Sequence, residues 1–240
     1  MAHFSALDRT RRVDDLVRGL EIYCDEFDNA GLFSGPSVYF HDKTISLLRK
    51  YQSPCQVLQD KDFHESLYAT LASWGLHRMG PGNTKLVNFD KMVTILQGLE
   101  SDIKSLETLQ IWNLNSEGLK AVGEQIWSLI ARLQIGIGQT RIVSGSKALH
   151  HLIPELVPPV DREYTLRFFF NHKNLNKSGE DAFREMYPHF HRIAVSCRDQ
   201  IEARLGKGMH TSFTKVIDNA IVGYVVKHLK HKVLELPTGA

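Results

Sequence analysis

Two runs decide how this chain reads: Ile135-Gly136-Ile137-Gly138, and further along Val157-Pro158-Pro159-Val160-Asp161-Arg162. Ahead of the first, Val122, Ile126, Leu129, Ile130 and Leu133 recur at helical spacing behind an N-cap signal at Asn115-Ser116-Glu117, which predicts a helix to about residue 133. Behind it a second helical pattern reaches Leu152, with a break or restart at Ser144-Gly145-Ser146. Glycines alternating with isoleucines between two helices suit a tight turn, because glycine admits positive φ and lets another backbone come close. Such a turn also presents backbone N–H groups at the start of the next helix, where a phosphate can sit. The plainer reading is an ordinary interhelical stop. In the second run, Pro154, Pro158 and Pro159 force an extended passage, and Asp161 stands where the next helix opens. A carboxylate there caps the helix whether or not it does anything else.

Outward from this segment the chain reads as helices throughout. Leu7, Val13, Leu16, Val17, Leu20, Tyr23, Cys24 and Phe27 predict one helix over 6–29, and shorter ones follow over 42–50 and 60–74. Gly75, Gly80, Pro81 and Gly82, set around Arg78 and Lys85, mark a loop. A long helix is predicted over 89–109, and two more over 181–205 and 213–234. Val216, Ile217, Ile221, Val225 and Leu229 form a stripe in the last of these, read as core before interface. With no clear strand and no internal repeat, the expected fold class is all-α. It is a multi-helix globular fold with a helix-hairpin-helix element, forming a single unit over 1–240 or two helical lobes, 1–112 and 113–240, around a cleft.

Composition narrows the class. The 240 residues are 42% hydrophobic and 23% charged, which excludes a disordered or fibrous chain and provides enough apolar surface for a full core. The three cysteines, Cys24, Cys55 and Cys197, form no CxxC pair and point to a reducing, cytoplasmic setting. The N-terminal stretch carries charges where a signal peptide is apolar, and no run of about 18 apolar residues occurs, so no membrane partner is expected. Net charge is only +2 with twelve histidines uncounted, so any attraction to nucleic acid must come from a local basic face.

The order helix, apolar-Gly-apolar-Gly hairpin, helix, then Pro159-Val160-Asp161 at a helix start resembles the helix-hairpin-helix superfamily of DNA glycosylases. The resemblance is carried by the segment 118–170; the rest agrees in being helical and of suitable size. It implies base excision from double-stranded DNA by a monomer without cofactor. Asp161 would be the catalytic carboxylate, and Gly136 and Gly138 would hold the DNA backbone, with Gln139, Thr140 and Arg141 beside them. Members that also cut the strand carry a lysine two residues past the hairpin's last glycine; Thr140 stands there, which implies base removal alone and an abasic product. The whole sequence also looks like small bacterial glycosylases of phage defence that excise glucosylated hydroxymethylcytosine, although no residue here is identified as reading a sugar.

Cleaving a C1′–N bond builds positive charge on the sugar, which a fixed carboxylate stabilises. Lys147 is the second catalytic candidate: it is read first as a solvated or phosphate-contacting residue at a helix start, and second as an amine that forms a Schiff base. A flipped base needs a stacking face and hydrogen bonds, for which Tyr68, Trp74, His77, His150, His151 and Tyr164 are candidates, the first two also reading as core. Arg78, Lys85 and Arg162 are the remaining candidate DNA contacts. No metal site is expected, since His150 and His151 are adjacent and point apart, and the other histidine pairs lack a partner at ligand spacing. The alternative is a non-catalytic helical module that binds DNA or another protein.

Overall fold

In the computed structural model, residues 4–76, 86–136 and 141–230 are described. Every regular element among them is helical, and the only β-type pairing is an isolated antiparallel bridge between Leu86 and Gly136. The helices are α1 (Ala6–Arg18), α2 (Leu20–Ala30), α3 (Pro36–Leu48), α4 (Pro54–Val57), α5 (Lys61–Leu71), α6 (Phe89–Gln97) and α7 (Glu100–Leu106). They are followed by α8 (Ser116–Arg132), α9 (Arg141–His150), α10 (Thr165–Phe170), α11 (Gly179–Ser196), α12 (Arg198–Arg204) and α13 (Phe213–Val225). None is long and apolar enough to cross a membrane.

The axis of the molecule is α13, all of whose residues are buried. It packs on α2, and Gly223 makes the approach possible: a Cβ there would lie 1.9 Å from the Tyr23 carbonyl oxygen. Val216, Ile217, Ile221 and Val225 are fully buried, so the C-terminal stripe is core. One buried cluster runs from Val13 to Val225 and includes Ile111 as well as Val122, on both sides of the expected lobe boundary. A second close approach joins α8 and α9, where a Cβ on Gly145 would meet Ile130 at 3.0 Å. This is why α9 runs unbroken through Ser144-Gly145-Ser146: the glycine is a packing residue there, and helical hydrogen bonding continues through it.

Three long helices expected from periodicity are each two. Gly19 divides α1 from α2, its N–H bonding back to Asp15 and Leu16. Gly98 and Leu99 divide α6 from α7, and Cys197 divides α11 from α12. In each case the dividing residue leaves the helical region of φ/ψ (Gly19 at φ −120°, Leu99 at φ −97°, Cys197 at φ −116°), and apolar periodicity cannot register such a break. Asn115 caps α8 as expected, its Oδ1 accepting the Gly118 N–H at 2.8 Å. The residues expected to form the hairpin straddle the limit of description: Gly136 is paired with Leu86, and 137–140 lie outside the described residues.

Candidate functional site

Helix α9 grips the proline-rich passage that follows it through successive side chains. Ser146 Oγ accepts the Val160 N–H at 3.0 Å, Lys147 Nζ donates to Asp161 Oδ2 at 3.2 Å, and His150 Nδ1 lies 2.9 Å from the Val157 carbonyl. Extended backbone cannot satisfy its own polar groups, so these contacts fix its register and hence where Asp161 stands. Asp161 then turns the chain. Its Oδ1 accepts the N–H groups of Glu163 at 2.7 Å and Tyr164 at 3.3 Å, while its own N–H donates to Thr165 Oγ1 at 2.9 Å. The regular helix starts only at Thr165, so Asp161 caps a preceding turn.

Lys147 is the main departure from expectation. Its side chain is only 6% exposed, so it is neither a solvated nor a surface phosphate contact. Besides Asp161, Nζ donates to the Trp74 carbonyl at 2.9 Å. That carbonyl is presented because a π-helical turn, Ala72–Leu76, ends α5 with Trp74 at φ −85° and ψ 25° and Gly75 at φ 84°. Here a positive φ is required, and glycine supplies it. Burial works to raise the Asp161 pKa, but the Lys147 ammonium and the hydrogen bonds from Glu163, Lys147 and Tyr164 outweigh it, and the pKa lies below the usual carboxylate value. The carboxylate is therefore ionised at neutral pH, with its side chain one-third exposed at 32%.

The pair opens into a pocket of about 120 Å³ whose walls include Phe33, Trp74, Tyr164 and Met209. Trp74 is held by its indole N–H, which donates to the Ser37 carbonyl at 3.0 Å, and by stacking on His41 with ring centroids 5.0 Å apart. Opposite Lys147 and Asp161, helix α13 contributes a second charged pair, Lys215 and Asp218.

Behind Trp74 lies a chain of buried imidazoles. His151 Nδ1 is 2.8 Å from the Lys147 carbonyl, a pure acceptor, so Nδ1 carries the proton and Nε2 accepts from His41 Nδ1 at 3.0 Å. His41 Nε2 is then left to accept the Thr211 hydroxyl at 3.0 Å. Burial lowers the pKa of all three, His41 and His150 well below the usual value and His151 to about 4, so they are neutral. Through Lys147 and Trp74 this chain braces the pocket without lining it.

Among the expected base-pocket residues, Trp74 and Tyr164 line the pocket, and His150 and His151 stand behind it. Tyr68 lies elsewhere, its hydroxyl donating to the Val87 carbonyl at 3.1 Å and its ring edge-on to Phe89, so it ties α5 to the start of α6. His77, Arg78, Lys85, Gly138, Gln139 and Thr140 lie outside the described residues. Arg141 is exposed at the start of α9. Arg162 is exposed but already engaged, donating to the Lys173 carbonyl and to Asn174. Sequence reasoning missed Phe33, Met209, Lys215 and Asp218. For the last two a signal was there: Lys215, Asp218 and Asn219 fall at i, i+3 and i+4 on one face of a helix that is otherwise almost wholly apolar.

Among the described residues no three His, Cys, Asp or Glu side chains gather as a metal site. Compared with protein-family models, curated proteins and solved structures, the chain matches none.

Proposed function

We propose that this protein removes a modified base from double-stranded DNA by cleaving its N-glycosidic bond, leaving an abasic site. The observation that carries the reading is an ionised Asp161 beside the buried Lys147, at a pocket with aromatic walls. The base would leave the duplex stack and enter against Trp74 and Tyr164. As the C1′–N bond breaks, the bonding pair leaves with the base, which takes up a proton. The carboxylate of Asp161 stabilises the positive charge left on the sugar, and water adds at C1′, losing its proton.

The burial of Lys147 favours a second reading, in which its amine is the nucleophile. Nζ would first give a proton to Asp161 3.2 Å away and then add to C1′ as the base departs with the bonding pair and takes up that proton. A further proton passes from the nitrogen to the ring oxygen, whose bond to C1′ breaks to leave an imine with the ring-opened sugar. Hydrolysis of the imine leaves an abasic site; loss of the 3′-phosphate by β-elimination cuts the strand. Glucosylated hydroxymethylcytosine remains a candidate base. The pocket, about 120 Å³, is somewhat smaller than the roughly 150 Å³ cavity known to hold benzene, so a base would enter edge first, with part of its ring and all of any glucose outside the described walls.

The test is a panel of duplexes, each carrying one modified base, incubated with wild type and with Asp161→Asn, then treated with alkali or borohydride. Alkali-dependent breaks from wild type alone support base removal. A borohydride-trapped adduct that disappears in Lys147→Met supports the amine. Binding to DNA with no base released from any duplex returns the protein to the non-catalytic module.

A further inference from the structure

The Lys215–Asp218 pair is more elaborate than a buried ion pair requires. Lys215 is 2% exposed, and its Nζ donates to Asp218 Oδ2 at 2.8 Å and to Asn219 Oδ1 at 2.6 Å. Two of its three N–H donors are thus engaged among the described residues. The ammonium also lies over three aromatic rings, 5.6 Å from the Phe27 centroid, 5.9 Å from Phe33 and 5.3 Å from Trp74. Asn219 is anchored in turn, donating to the Met209 carbonyl at 3.1 Å. Asp218 engages Oδ2 with Lys215, whereas Oδ1 has no partner among the described residues, although both residues line the pocket.

A fixed ammonium beside a carboxylate oxygen with unused capacity forms a donor and an acceptor set side by side. A planar base entering the pocket edge first would meet that pair with its hydrogen-bonding edge. We infer that Lys215 and Asp218 determine specificity: they select a neutral nucleobase whose edge carries a hydrogen-bond acceptor next to a donor, such as a ring carbonyl beside a ring N–H. Cationic, N-alkylated bases are excluded, because Lys215 already occupies the aromatic faces that would attract a second cation. This deepens the base-excision reading and rests on it for the claim that the ligand is a base in DNA.

Ligand-observed saturation-transfer NMR with free bases tests the pocket independently of any cleavage. The probes are 1-methyluracil, which has the carbonyl beside the N–H; 1,3-dimethyluracil, whose N–H is blocked; and 1-methylnicotinamide, a single-ring cation. Wild type is expected to bind 1-methyluracil about tenfold or more better than 1,3-dimethyluracil, as the loss of one charge-assisted hydrogen bond implies, and to show no binding of the cation. Lys215→Met/Asp218→Leu removes both charges together, so neither is left buried without a partner; it should fold and lose the preference. Equal binding of the two uracils, binding of the cation, a preference that survives in the double variant, or no base bound would overturn the inference. Selective binding of 1-methyluracil by a protein that releases no base from DNA would uphold this inference and sink base excision instead.

Discussion

Two lysine–aspartate pairs face one pocket and are built in opposite ways. Lys147 and Asp161 come from different elements, α9 and the turn before α10, and meet only because α9 also holds Val157 and Val160. Asp161 keeps two backbone N–H donors and is one-third exposed, so its charge is favoured. Lys215 and Asp218 lie one turn apart on a single buried helix, and burial pushes the Asp218 pKa up while Lys215 opposes it; the nearby charge of Asp161 adds to the rise. The first pair has a partly exposed carboxylate suited to a developing positive charge, and the second a buried donor and acceptor suited to a neutral ligand. One pocket therefore joins a pair held between α9 and the turn before α10 to a pair held within the single helix α13.

Breaking each pair separates them most widely. Lys215→Met leaves Asp218 buried without its main partner, and unfolding titrations should show a loss of about 3–5 kcal/mol. Lys147→Met should be milder by about 2 kcal/mol or more, because Asp161 retains the Glu163 and Tyr164 N–H groups and contact with solvent. Equal losses would mean the two pairs are not differently supported.

The supporting helices differ in the same direction. An added Cβ meets backbone at 1.9 Å for Gly223 on α13 but side chain and backbone at 3.0–3.2 Å for Gly145 on α9. Gly223→Ala is expected to cost about 3 kcal/mol or more and Gly145→Ala about 1–2 kcal/mol in thermal unfolding. The reverse order would contradict the close α2–α13 approach as the tighter constraint.

Acid sharpens the comparison least, through stability. In the unfolded chain His151 takes up a proton near 6.5, and in the folded protein only at about 4, so its contribution is whole above 6.5 and is lost as pH falls toward 4. The depressed pKa of Asp161 acts in the same direction at lower pH, whereas Asp218, raised, contributes below its unfolded value and loses that contribution as pH rises. Melting temperature should therefore drop between 6.5 and 4. A rise over that window would mean the imidazoles are not buried neutral.

Much of this was legible in the residues. The helical class followed from apolar spacing, and the α8 cap from Asn115. Asp161 stood out because prolines deliver it to a turn. What periodicity could not report were the breaks in helical backbone at Gly19, Leu99 and Cys197, because apolar spacing can continue on both sides of a break. Lys147 was misjudged for a related reason: a lysine after Ser-Gly-Ser reads as a helix start in water, and only the packing of Gly145 on Ile130 turns that stretch into a buried helix interior. Phe33 enters the pocket from a distant loop that carries no local sign of it. Lys215 and Asp218 were readable as charges out of place in an apolar helix, and their pairing follows from the spacing of one turn.

The central claim is that Lys147 and Asp161 act together on the sugar of a flipped nucleotide. The most direct measurement is single-turnover base release from whichever duplex wild type acts on fastest, comparing wild type with Asp161→Asn, with melting temperatures to show that both are folded. A rate lower by about a hundredfold to a thousandfold in a folded Asp161→Asn is the predicted result. Release at the wild-type rate would contradict it and leave Asp161 as a capping residue alone.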